Sequence, residues 1–227
     1  MKTLLATVCL CTGIVAGAAT QELPPPFPRT NATKLFENDR INVWNIVWPR
    51  GEPTALHRHI YDQVGTYYER GGRTITTPDG GKRSSVTEVG SLSTTRKGTT
   101  HIEEGNTDPP LRAVFIELKQ EKPGGLSPAA TGRASFPHPG AKQVLDDDRV
   151  TVWDVASWAA GPQALTFRPA RETVIVWLGD GLVRSTRGGA PSTVPVKAGT
   201  TRHLDRGADE TLDMVGGSPR ALFFELK

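Results

Sequence analysis

Apolar and polar residues alternate along this chain in short runs, and apolar positions at helical spacing are scarce. The runs are rich in β-branched and aromatic residues, as in Ile41 to Trp48 and Thr173 to Leu178. Glycine and proline punctuate them at short intervals: Pro78-Asp79-Gly80-Gly81, Gly188-Gly189 and Gly216-Gly217-Ser218-Pro219. Short strands joined by tight turns predict an all-β, antiparallel sandwich or barrel.

The pattern occurs twice. Asp39-Arg40-Ile41-Asn42-Val43-Trp44 returns as Asp148-Arg149-Val150-Thr151-Val152-Trp153. The strand Ala113-Val114-Phe115-Ile116-Glu117-Leu118-Lys119 returns as Ala221-Leu222-Phe223-Phe224-Glu225-Leu226-Lys227. A duplication of this kind predicts two tandem β-barrels. Residues 35–122 form the first and 144–227 the second, with an extended Pro-rich arm at 19–34 and a Pro/Gly/Ala/Ser linker at 123–143.

The first residues read as an address. Lys2, the apolar run from Leu4 to Val15, and Ala16-Gly17-Ala18 predict an export signal cleaved after residue 18. The expected location is therefore periplasmic or secreted. The apolar run is too short for a stable membrane anchor. Both cysteines, Cys9 and Cys11, lie inside the signal, so the remainder has neither a disulfide framework nor a thiolate metal site. With a formal charge of +3 and its basic residues scattered, the chain carries no nucleic-acid footprint.

Chemistry concentrates in the histidines. His57 and His59 stand two apart, so on a strand both imidazoles face the same way. His101 follows Gly98 further along the chain, where a neighbouring strand brings it to the same place. Aligned through its glycines, the second copy has Phe167, Pro169 and Arg202 at these positions. A fold that persists where its histidines vanish implies that the histidines do chemistry. Tyr61 and Tyr67 are candidates to line a substrate pocket; with Glu103 and Glu104 they are also candidates for proton transfer, and the catalytic residues stay unassigned.

These residues resemble the cupin superfamily, whose two-part pattern is G-x5-H-x-H-x(3,4)-E-x6-G and G-x5-P-x-G-x2-H-x3-N. Gly51, His57, His59 and Gly71 match the first part, and Gly90, Gly98 and His101 the second. The resemblance covers nearly the whole chain after residue 18 and implies a bicupin, two jelly-roll barrels of which only the first holds a metal. The family's glutamate ligand is missing: Gln63 and Val64 occupy its positions and Asp62 lies one residue earlier. Gln63, Asp62 or water is then the fourth ligand, and the regular pleat turns Asp62 away from His59. Arg96 replaces the motif proline, and Gly105 the asparagine.

Such a site suits one divalent transition metal, Fe, Mn, Ni, Cu or Zn, and affinity alone does not choose among them. The resemblance implies either a metal-dependent oxygenase, lyase or isomerase acting on a small oxygenated molecule, or a non-catalytic binding or sensor protein of the same fold. The expected partner is a small-molecule ligand or substrate, and a homodimer is compatible with the pattern.

Overall fold

A computed structural model describes residues 22–120, 136–138, 140–156, 165–167, 169–208, 210–217 and 220–227. The expected signal at 1–18, residues 121 and 122 at the end of the first repeat and residues 123–135 of the linker lie outside this set. Among the described residues every regular element is a strand.

The first repeat contributes β1 (Ala32–Glu37), β2 (Ile41–Trp48), β3 (His57–Arg58), β4 (Asp62–Glu69), β5 (Gly71–Thr76), β6 (Lys82–Thr87), β7 (Leu92–Thr95), β8 (Thr100–Gly105) and β9 (Leu111–Leu118). They form a five-stranded sheet, β1-β2-β9-β4-β7, facing a four-stranded sheet, β3-β8-β5-β6. The second repeat contributes β10 (Ala141–Asp146), β11 (Val150–Val155), β12 (Leu165–Phe167), β13 (Thr173–Trp177), β14 (Gly181–Arg187), β15 (Ala190–Val196), β16 (Thr201–Leu204), β17 (Glu210–Gly217) and β18 (Ala221–Leu226). Its sheets, β10-β11-β18-β13-β16 and β12-β17-β14-β15, copy the first pair strand for strand. From β2 to β5 and again from β6 to β9 the chain crosses between the two sheets at every step, and the second repeat does the same, which is the double-stranded β-helix of a jelly roll.

The pleat assigns every side chain of the central strands to one of two apolar layers. On β2, Trp44, Ile46 and Trp48 point into the first barrel with Tyr67, Leu111 and Phe115. Phe136, Ile175, Trp177, Leu212 and Phe223 fill the second barrel in the same way. The opposite faces of the two five-stranded sheets meet each other, Ile41, Val43 and Ile116 packing with Val152, Val176 and Phe224. Strands buried on both faces carry long apolar runs, as in Ala221–Leu226, which is buried at every position and whose one polar residue is Glu225. At about 1.5–3 kcal/mol for each fully buried large side chain, this shared layer joins the two repeats strongly.

The repeats begin further upstream than 35 and 144, because β1 starts at Ala32 and β10 at Ala141. The segments before them are packed too. Phe27 stacks on Trp44 with ring centroids 4.7 Å apart, and Phe136 stacks on Trp153 at 4.9 Å. A phenylalanine isolated among prolines has no periodicity to announce its burial; only the facing tryptophan makes it a core residue.

Candidate metal centre

His57 on β3 lies directly opposite His101 on β8 in the antiparallel register. Past the end of β3 the pairing continues through backbone bonds, His59 N–H to Thr99 O at 2.9 Å and Gly98 N–H to His59 O at 2.7 Å. Gly98 takes φ +89° to turn the chain into β8, a conformation that other residues rarely adopt. Alternation then buries His57 and His59 and exposes Arg58 between them. On β8 the same rule buries His101 and Glu103 and leaves Ile102 and Glu104 half-buried on the other face.

The three imidazoles converge, with one candidate ligand nitrogen from each lying within 4.8 Å of the others. His59 Nε2 and His101 Nε2 are 3.3 Å apart. His57 Nδ1 lies 3.0 Å from Ala55 O. A carbonyl only accepts, so that nitrogen carries the proton and Nε2 keeps its lone pair. His57 Nε2 and His59 Nδ1 are buried without a partner. Burial holds all three rings below the ordinary histidine range, His59 and His101 at about 4 with the neighbouring imidazoles adding to the effect. Neutral imidazoles with buried, unused lone pairs are a donor set that a divalent cation fits.

Glu103 stands beside this set, its Oε1 3.7 Å from His101 Nε2. Arg73 Nη1 donates to Oε1 at 2.5 Å, while Arg29 Nη2 and Trp48 Nε1 donate to Oε2 at 3.2 and 3.1 Å. Burial alone pushes this carboxyl up, but Arg73 and Arg29 outweigh burial and hold it at about 2. Sequence reasoning placed Glu103 near the histidines but missed both arginines and Trp48. The one signal for them is the comparison of repeats. Strand register sets Arg73 and Glu103 against Val183 and Leu212, so the network belongs to the first barrel alone.

The remaining candidates scatter. Gln63 is buried on the barrel side of β4, in register with Glu117, and its Nε2 has no partner. Asp62 faces the other way, its Oδ2 accepting from Arg149 Nη1 at 3.0 Å and its Oδ1 from Lys97 N at 2.8 Å. Tyr67 is a core residue between Trp48 and Phe115, and its hydroxyl accepts from Arg73 Nη2 at 2.9 Å. Tyr61 lines a groove of about 210 Å³ on the outer side, with Asp62, Lys97, Leu118 and Arg149. It is therefore a groove residue between the repeats and not a wall of the histidine site, because the chain turns between β3 and β4 and breaks the alternation.

The correspondence of the repeats also needs correcting. Gly199 matches Gly90, not Gly98; the counterpart of Gly98 is Gly207, and all four have positive φ. The structural equivalent of His101 is thus Glu210, paired with Phe167 as His101 is with His57. Glu210 is buried and neutralised, its Oε1 taking Arg202 Nη2 at 2.6 Å and Ser185 Oγ at 2.5 Å. A glycine-to-glycine alignment slips easily by one turn when both turns have glycine at the same kind of position. His203 lies elsewhere, stacked on Phe36 with its Nε2 2.7 Å from Glu172 Oε1.

No family model matches the sequence, and no curated protein matches it. Solved structures do share the fold. A cupin 2 conserved barrel protein from Leptotrichia buccalis is 10% identical at a TM-score of 0.52, covering 86% of this chain and 88% of its own. A variant of salicylate 1,2-dioxygenase from Pseudoaminobacter salicylatoxidans is 12% identical at 0.56, covering 82% of this chain and 71% of its own. Bacillus subtilis oxalate decarboxylase, with Mn(II) centres, is 13% identical at 0.51, covering 83% and 69%.

Proposed function

We propose that this chain, whose fold is that of solved cupin proteins, binds one divalent transition metal in its first barrel through His57, His59 and His101. The observation that supports this reading most is the convergence of three buried, neutral imidazoles, one with its Nε2 lone pair fixed inward and unpartnered. The hydrogen bond from His57 Nδ1 to Ala55 O orients that ring, as outer partners of metal-bound histidines do. Gln63, buried on the barrel side with its amide nitrogen unpartnered, is a neutral candidate for a further ligand, and Glu103, held ionised by its arginines, supplies a fixed negative charge beside the set.

Such an ion supplies dioxygen activation if it is redox-active, or Lewis-acid polarisation of a small oxygenated molecule if it is not. The manganese of the oxalate decarboxylase that shares the fold makes manganese the first metal to try. The protein is then a metal-dependent enzyme acting on a small molecule after export and loss of residues 1–18. The second barrel, without histidines at the matching positions, supports the first through the shared apolar layer.

The test is elemental analysis of untagged protein. One metal ion per chain is expected, absent from His57→Ala and His101→Ala. Two ions per chain, or retention of the metal in both variants, overturns the assignment.

A further inference from the structure

The first barrel buries two guanidinium groups against one carboxylate. Arg29 and Arg73 have side chains only 16% and 12% exposed, and both pair with Glu103. Among the described residues neither has another acidic partner. Buried charge is costly unless it is paired, and Glu103 alone faces two guanidiniums, because the other buried carboxylate of this barrel, Glu117, accepts from Asn42 and Trp44 and from neither arginine. A divalent ion in the histidine set increases the excess.

The fold does not require this surplus. In the second barrel strand register puts Val183 and Leu212 at the places of Arg73 and Glu103. His138, two residues after Phe136, stands at the place of Arg29, two residues after Phe27. An uncompensated positive charge kept only beside the histidines is what an anionic ligand would complete.

The two arginines differ in what they have left to give. Arg73 donates to Glu103 through Nη1 and to Tyr67 through Nη2. Among the described residues Arg29 makes one side-chain hydrogen bond, through Nη2, and its Nε is buried with no partner. Its guanidinium lies against the rings of Phe27 and Trp48, 5.6 and 5.8 Å from their centroids, contacts that hold it in place. A guanidinium edge matches a carboxylate with two parallel hydrogen bonds.

We infer that the first barrel takes a small molecule bearing a carboxylate, which Arg29 receives through its unused donors beside the metal position. Arg29 selects the ligand and does not hold the metal. The inference rests on the proposed metal site for its location, but its test reads out separately.

The experiment is calorimetric titration of the manganese-loaded full chain with pyruvate, malonate and succinate, each against its neutral amide, with inorganic phosphate as a further probe. At least one carboxylate is expected to bind at least about tenfold more tightly than its amide, the effect of a charge-assisted hydrogen bond. Arg29→Gln should lose that preference while keeping the wild-type metal content, and Arg29→Lys should restore part of it. Equal binding of acid and amide, no binding of any acid, an unchanged preference in Arg29→Gln, or phosphate binding as tightly as the best carboxylate overturns the inference. If the chain holds no metal yet shows the Arg29-dependent preference, the metal reading fails and this one stands. If the metal is retained but no carboxylate binds, the metal reading stands and this one fails.

Discussion

His59 and His101 protonate near 4 in the fold and near 6.5 when the chain is unfolded. Between those values the unfolded chain binds more protons, so the metal-free protein loses stability as pH falls through that window. Glu103 adds a second loss lower down, from the ordinary carboxylate range toward about 2. Urea unfolding of metal-free protein from pH 7.5 to 4 should therefore show a decline of about 3–6 kcal/mol that flattens in the His59→Gln/His101→Gln double variant. A pH-independent midpoint in the wild type would contradict the burial of neutral imidazoles. Adjacent glutamates make a second contrast. Glu103→Gln leaves Arg29 and Arg73 buried without a counter-ion and should cost about 3–5 kcal/mol, while Glu104→Gln on the outer face should stay within about 0.5 kcal/mol. Equal losses would mean that β8 does not separate the two glutamates onto different faces. The histidines were legible at this scale because a two-residue spacing maps directly onto one face of a strand. Arg29 was not, since nothing in Pro28-Arg29-Thr30 points to a barrel interior reached only after the chain folds back.

Strands are where sequence and structure agree most closely. The alternation of Ile41–Trp48 divides into the two layers that β2 separates, and the paired runs at 113–118 and 221–226 lie at the centre of each five-stranded sheet. The disagreements fall where an element is short or irregular. β3 contains only His57 and Arg58, so His59 is placed by its bonds to Gly98 and Thr99 and not by strand membership. The segment before β1 has no pattern of its own, yet Pro24 O accepts from Arg58 N at 3.0 Å and Phe27 is 7% exposed. Phe27→Ala should cost about 3–5 kcal/mol in urea unfolding, the range for deleting a buried aromatic ring. A change within about 0.5 kcal/mol would show the segment to be a loose arm after all.

Across the whole molecule the repeats exchange a matched pair of ion bridges. Arg149 Nη1 reaches Asp62 Oδ2 of the first repeat at 3.0 Å, and Arg40 Nη1 reaches Glu172 Oε2 of the second at 2.9 Å. The two bridges differ in what lies behind them. Asp62 also accepts from Lys97 N at 2.8 Å, one residue before the glycine that bonds His59 and turns the chain toward His101. Arg149 of the barrel that lacks the histidine set thus steadies the histidine turn of the other. Arg149→Met should weaken metal binding about tenfold or more, as loss of an outer support does, with the metal dissociation constant as the readout. Arg40→Met removes the mirror bridge and serves as the control, with stability reduced and metal affinity unchanged. Equal weakening in both variants would reduce Arg149 to a merely structural role.

The duplication, the all-β class, the strand centres and the three histidines were determined by the sequence itself, because each rests on a local regularity: a repeated phrase, a period of two, a spacing. Which face each sheet turns to its twin was decided only in three dimensions, since a strand buried on both sides has no polar face to orient it. The same holds for the true partner of His101, displaced by one turn to Glu210, and for the ion bridges between the repeats. Arg29, Arg73 and Glu103 lie far apart in the chain and share no motif. Their meeting beside the histidines depends on β5, β8 and the segment before β1 closing one barrel, a long-range arrangement that local pattern does not carry.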